Sequence, residues 1–135
     1  SAEDAIQKAS CRPDFVVLCY AVIALDQPFT HKGSQRNLLG ENADADLVKS
    51  LSNELQVTAQ TPPTFLWATY EDTAVPPQNS VVFYEALLKA KVPSELHVFE
   101  KGRHGVGLGK GIVGTENWPD LCLAWLKGRG MLSAK

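Results

Sequence analysis

Apolar positions fall into three dense runs separated by stretches of mixed polarity, and the runs differ in texture. Residues 14–25, DFVVLCYAVIAL, are nearly continuous in Val, Ile, Phe and Tyr. That pattern fits a strand buried on both faces, as in a parallel sheet. Residues 64–70, TFLWATY, form a second run, entered from Pro62-Pro63. Residues 95–99, ELHVF, are shorter and alternate, which suits an edge or near-edge strand. Between the second and third runs, residues 78–91 read as a helix. Val81, Tyr84 and Leu88 recur at i, i+3 and i+7 with Leu87 beside them, Glu85 and Lys89 take the polar side, and Pro77 suits the first turn. A final helix is predicted from Asn117, with Trp118, Leu121, Cys122 and Trp125 as its apolar stripe, Asn117 as cap, Pro119 in the first turn and Gly128 at the end. Residues 3–9 read as the last turns of another helix.

Strands separated by helical crossovers predict an α/β protein with a parallel sheet of about three strands and flanking helices. The first connection, residues 26–61, is longer than a simple crossover. It is expected to hold a short helix after Ser34, ended by Gly40, and another around residues 46–51. Long connections of this kind often overhang a site, and His31 lies within this one.

Length and charge narrow the function classes. The 135 residues suffice for one domain, 1–135, with a core of its own. Net charge is −2 with scattered Lys and Arg, which argues against a nucleic-acid binder. No apolar run approaches the roughly 20 residues of a membrane span. The first ten residues carry no leader pattern, leaving a soluble protein of either cytoplasmic or secreted location. Cys11, Cys19 and Cys122 form no CxxC pair and read as structural thiols, with one disulfide or a reactive thiol as the alternative. Neither they nor His31, His97 and His104 have metal-ligand spacing, so no metal or cofactor is expected. Residues 109–114 match G-x-G-x-x-G but lie in a loop near the chain end, outside the strand-to-helix context that dinucleotide binding needs. The Trp118/Trp125 stripe reads as core packing, and His97, alternating with apolar neighbours, as structural.

Ligands of open α/β sheets bind beyond the carboxyl ends of the strands. Asp72 lies on the turn leaving the second strand, and His104 lies on a glycine-flanked loop leaving the third. Adjacent strands bring both loops out side by side. An Asp accepting from a His Nδ1–H would leave Nε2 as a general base. Taken singly, Asp72 reads as a turn or helix-cap aspartate and His104 as a surface-loop histidine.

The stretch TPPTFLWATYEDTAVPPQNSVVFYEALLKAKVPSELHVFEKGRHGVGL resembles the C-terminal part of an α/β-hydrolase, within the dienelactone hydrolase and acetyl xylan esterase group. RPDFVVLCYAVI and HKGSQRNLLG resemble the same group. The resemblance implies a partial α/β-hydrolase fold lacking the nucleophile-bearing N-terminal half. It also implies Asp72 as triad acid, His104 in Gly102-Arg103-His104-Gly105 as triad base, and a small ester, acetylated carbohydrate included, as substrate. The family's Gly-x-Ser-x-Gly has no counterpart here, since Ser1, Ser10, Ser34, Ser50 and Ser52 all lack the flanking glycines. Cys19, predicted in mid-strand without a cationic neighbour, does not replace that serine. The expectation is therefore an esterase acid and base without their nucleophile, inactive alone. The alternative is a non-catalytic half-domain that forms a homo-oligomer through an exposed strand edge, residues 15–25. A flavodoxin-like ligand-binding domain explains the strand order but not the Asp72 and His104 placement.

Overall fold

A computed structural model describes residues 4–132. Pro63 and Pro93 stand just before two of the strands. They have no N–H to give the ladder, but each carbonyl accepts the first N–H of the neighbouring strand, from Val16 at 2.9 Å and Thr64 at 3.1 Å. The strands that follow are β1 (Val16–Cys19), β2 (Thr64–Thr69) and β3 (Ser94–Phe99). They form a parallel sheet in the order β1-β2-β3, with Val16 opposite Thr64 and Thr64 opposite Ser94. β2 is central and all six of its residues are buried, the expected fate of a continuous apolar run in a parallel sheet. β3 is at an edge, as its alternating texture predicts.

Two helices sandwich this sheet. Alternation along β2 sends Leu66 toward α4 (Gln78–Lys89), where it packs with Ile23, Phe83, Leu87 and Val92. Phe65 and Trp67 point the opposite way, against Cys122 and Trp125 of α5 (Trp118–Gly128). Truncating a core aromatic such as Trp67 would cost about 3–5 kcal/mol.

At the amino end, α1 is the single turn Ala5–Lys8, inside the predicted helix 3–9, whose residue 3 lies outside the described residues. The long connection holds α2 (Lys32–Leu39), α3 (Ala45–Ser50) and a 3-10 turn at Asn53–Gln56. α2 begins before Ser34, because His31 caps it, and stops at Gly40 in a left-handed conformation (φ 84°).

Three local readings of the sequence need correction. The apolar run 14–25 is a strand only over Val16–Cys19. Ile23, Ala24 and Leu25 are buried, but side chains replace the ladder. Asn79 Oδ1 accepts from Ile23 and Ala24 N–H at 3.0 and 3.1 Å, and Ser52 Oγ accepts from Leu25 N–H at 3.1 Å. Burial made the run apolar, while Asn79 and Ser52 decided its backbone. For the same reason the buried face of α4 is Asn79, Ser80, Phe83 and Leu87, leaving Val81 and Leu88 exposed. Two buried polar residues hid the true stripe. In α5, Pro119 occupies the first turn as expected, but Asn117 makes no side-chain cap bond because a 3-10 turn, Thr115–Asn117, leads in. α5 ends at Gly128 as expected, and a glycine with positive φ follows two residues later at Gly130.

Candidate active site

The carboxyl ends of β2 and β3 release two short loops. Tyr70 N–H still bonds the Phe99 carbonyl at 2.7 Å, so the loops separate only after that point. Asp72 then forms a turn on itself: its Oδ1 accepts from the N–H groups of Ala74 at 3.0 Å and Val75 at 2.9 Å. This is the ordinary service of an aspartate after a strand. Its second oxygen does something else. His104 Nδ1 lies 2.7 Å from Asp72 Oδ2, across 32 residues of sequence. Asp72 is 2% exposed, whereas the His104 side chain is 39% exposed. With Oδ2 as acceptor, Nδ1 carries the hydrogen, and the lone pair is left on Nε2 at the outer end of the ring.

The histidine loop is held by its backbone. Thr69 Oγ1 donates to the Gly102 carbonyl at 2.7 Å, Thr115 Oγ1 donates to the Lys101 carbonyl, and Gly102 N–H donates to Glu71 Oε2 at 3.1 Å. Gly102 takes φ 128°, and a Cβ there would stand 3.1 Å from Thr69 Cγ2, so the close approach requires glycine. Trp118 Nε1 donates to the Gly107 carbonyl at 3.0 Å and ties α5 to the same loop. Lys101 Nζ pairs with Glu71 at 2.9 Å and Glu100 at 3.0 Å. The Lys101 ammonium, helped by the Gly102 N–H, holds the Glu71 carboxyl below its usual range, and the two carboxylates raise the Lys101 ammonium in turn.

Tyr20 faces the imidazole from the β1 side. Its ring lies edge-on to His104 at 5.0 Å and edge-on to Trp67 at 4.8 Å, and Trp67 stacks on Trp118 at 5.0 Å. Tyr20 has φ 41°, an uncommon conformation for a bulky residue, while its N–H bonds the Trp67 carbonyl at 2.7 Å. An open depression of about 590 Å³, lined by Tyr70, Asp72, Thr73, Pro76 and Gln78 among others, borders the loop after β2.

The structure thus brings Asp72 and His104 together and leaves the other histidines elsewhere. His31 is a helix cap, with Nδ1 accepting the N–H of Ser34 at 3.2 Å and lying 2.9 Å from its hydroxyl. His97 bonds Glu95 on β3 at 2.7 Å and stacks on Phe99. Burial raises the thiol pKa of both Cys19 and Cys122, with the Trp67 N–H working against it at Cys19 and the neighbouring Cys19 and Glu95 adding to it at Cys122. Neither thiol is activated. Among the described residues no His, Cys, Asp and Glu cluster is placed to hold a metal, and no helix is long and apolar enough to cross a membrane. Residues 109–114 stay in the loop, with Gly109, Gly111 and Gly114 all at positive φ. Tyr20, Thr69, Glu71 and Thr115 were not singled out from the sequence. Only their positions at or just beyond strand ends and around the glycine loop could have marked them.

Parallel strands with helices on both faces, and an acid and a histidine on adjacent loops, fit part of an α/β-hydrolase. Residues 15–129 match the model of the prolyl oligopeptidase family, and the chain belongs to that family. It is 44% identical over 97 residues to endo-1,4-beta-xylanase B of Butyrivibrio fibrisolvens and 33% identical over 102 residues to an acetylxylan esterase of Xylanibacter ruminicola. These matches take in 72% and 73% of the chain but only 15% and 21% of those relatives' length. An acetyl ester-xyloside bifunctional hydrolase from Caldicellulosiruptor lactoaceticus superposes with TM-score 0.92 at 47% identity, over 97% of this chain and 48% of that one. A carboxylesterase from Lactobacillus plantarum gives TM-score 0.74 at 29% identity, over 90% and 46%. The resemblance to the acetyl xylan esterase group, drawn from the sequence, is borne out.

Proposed function

We propose that this chain supplies the acid and base of an ester hydrolase acting on short acyl esters, acetylated carbohydrates among them. The nucleophilic serine of the triad comes from outside these 135 residues. One observation carries the reading: the 2.7 Å bond from His104 to an aspartate whose other oxygen is fixed by two backbone N–H groups. That arrangement sets the tautomer and the ring direction together. The names of the relatives supply the substrate class.

In the reaction, His104 Nε2 takes the serine hydroxyl proton as the oxygen attacks the ester carbonyl. The tetrahedral intermediate collapses, the bond to the alcohol breaks, and Nε2–H protonates the departing alcohol. Water then attacks the acyl-serine, with His104 accepting its proton and returning it to the serine oxygen. Asp72 stays ionised and stabilises the imidazolium at each stage. No cofactor enters.

Two experiments test this. Treated with a fluorophosphonate probe, the folded chain alone should gain no adduct by intact mass. A stoichiometric adduct lost in His104→Ala would mean it activates a serine of its own. Joined to the half of the Caldicellulosiruptor hydrolase that it does not cover, the chain should hydrolyse 4-nitrophenyl acetate, with Asp72→Asn lowering kcat by about 10⁴-fold. A folded chimera insensitive to Asp72→Asn and His104→Ala would overturn the assignment.

A second reading rests on β1. Among the described residues its outer edge pairs with no strand, its residues are only half-buried, and Phe15 beside it is 36% exposed. Such an edge is a template for pairing, and self-association through it gives a homo-oligomer. Light scattering after size exclusion should find dimers or larger species, and a monomer at high concentration would count against this reading.

A further inference from the structure

We infer that Tyr20 is a positioning residue for His104, holding the imidazole against Asp72 by an edge-on contact from the β1 side. The inference rests on the proposed acid–base pairing and deepens it. Two observations carry it. First, Tyr20 stands in the left-handed region at φ 41°, where an aromatic residue is disfavoured and where glycine or asparagine would sit more easily. A strained conformation persists where its surroundings over-determine it, and such residues cluster at functional sites. Second, the conformation aims the ring at the candidate base. Trp118 stacks on Trp67 at 5.0 Å, Trp67 meets the Tyr20 ring edge-on at 4.8 Å, and Tyr20 meets His104 edge-on at 5.0 Å. The aromatic column runs from α5 through the central strand to the imidazole, and Tyr20 is its last link.

The rest of the site explains why such a link is needed. Thr69, Thr115 and Glu71 hold the backbone at residues 101–102, two positions before His104. His104 itself is flanked by Arg103 and by Gly105 at φ 76°, and its side chain is partly exposed. The Asp72 bond fixes one end of the ring. A single hydrogen bond leaves rotation about that bond open, and the edge-on contact of Tyr20 closes it.

The test uses the ¹⁵N-labelled chain and long-range ¹H–¹⁵N spectra of its imidazoles, so it needs no turnover. In the parent, His104 should be the Nδ1–H tautomer, slow to exchange with water. Tyr20→Phe should leave that signature unchanged. Tyr20→Gly, which accepts the same φ and removes the ring, should speed Nδ1–H exchange about two- to tenfold and mix in the Nε2–H tautomer. Tyr20→Asn should do the same and serves if the glycine variant fails to fold. A folded Tyr20→Gly or Tyr20→Asn with the parent's His104 spectrum would overturn the inference while leaving the acid–base reading intact. Unfolding of both variants would also overturn it, in favour of a purely structural Tyr20. A parent spectrum without the Nδ1–H tautomer would sink the pairing itself, and this inference with it.

Discussion

Among the described residues two imidazole–carboxylate pairs have the same length, 2.7 Å, in two different regions: His104 with Asp72 on the loops, and His97 with Glu95 on β3. Distance therefore does not distinguish them. Connectivity does: Glu95 and His97 are i, i+2 neighbours on one strand face, where alternation puts them together whatever the fold, whereas Asp72 reaches His104 only through a strand-helix-strand unit. The second carboxylate oxygen of Asp72 is fixed by two backbone N–H groups, while the Glu95 side chain is 42% exposed. The bonded nitrogens differ too. His97 is bound through Nε2 and lies against Phe65 and Phe99, so its outer end is spent on the partner. His104 is bound through Nδ1, which leaves the outer nitrogen for chemistry. A histidine–carboxylate pair becomes a candidate acid–base device when the acid is immobile and the free nitrogen faces outward.

The sharpest way to break this contrast is to remove each carboxylate. Asp72→Ala leaves the N–H groups of Ala74 and Val75 and the His104 Nδ1–H without their acceptor, Val75 being buried. The expected loss is about 3 kcal/mol in urea unfolding. Glu95→Ala opens a partly exposed contact and should stay within about 0.5 kcal/mol. Equal losses would mean that Asp72 is no more embedded than Glu95, and the comparison fails.

The same contrast separates what the sequence could say from what it could not. Asp72 and His104 were legible because each follows a recognisable strand and because alternating strands and helices require adjacent loops. That the second and third strands are neighbours was legible from the helical crossover between them, and the α5 stripe from periodicity. The path of residues 20–25 was not, since an apolar run records burial and says nothing about which groups take its hydrogen bonds. Asn79, a polar residue inside a helix, would have been read as solvent-facing on any amphipathic count, yet it is buried because Ile23 and Ala24 need its oxygen. Tyr20 was hidden for a related reason: nothing in CYAV marks a left-handed turn, because the conformation is imposed by packing against Trp67 and His104 and not by local preference. Thr69 looked like one more residue of an ordinary strand, and only its 2.7 Å bond to Gly102 gives it a part in the site.

That bond yields the next prediction, smaller than the first. Thr69→Val keeps the shape and removes the hydroxyl, leaving the carbonyl of buried Gly102 without its donor. The expected loss is about 1–2 kcal/mol, with the histidine loop exchanging its amide hydrogens faster than β2 does. Thr69→Ser should restore the donor and most of the stability. If Thr69→Val costs nothing and the loop amides are unmoved, then Thr115 and Glu71 suffice to hold the loop and Thr69 is only core.

The smallest effect belongs to the charged pair on the outside of the same loops. Glu71 and Lys101 cross from one loop to the other, as Asp72 and His104 do, but in open solvent. The Glu71 carboxyl is lowered, first by the Lys101 hydrogen bond and then by the Gly102 N–H. A lowered acid contributes stability above its unfolded-state pKa and loses it as pH falls through the folded value. The difference between the parent and Glu71→Gln should therefore be constant from neutral pH down to the ordinary glutamate range and vanish below it. Lys101 works in the opposite direction: its raised ammonium contributes at all pH values below its unfolded-state pKa and adds no change across the acid window. Salt should shrink the Glu71→Gln difference, because exposed charges are screened, whereas the Asp72→Ala loss, which comes from buried hydrogen bonds, should hardly respond. Urea midpoints of both variants at low and high salt, from pH 7 to pH 3, measure all of this at once. If the two responded alike to salt, the inner pair would be as solvated as the outer one, and the immobile acid on which the proposed chemistry depends would be lost.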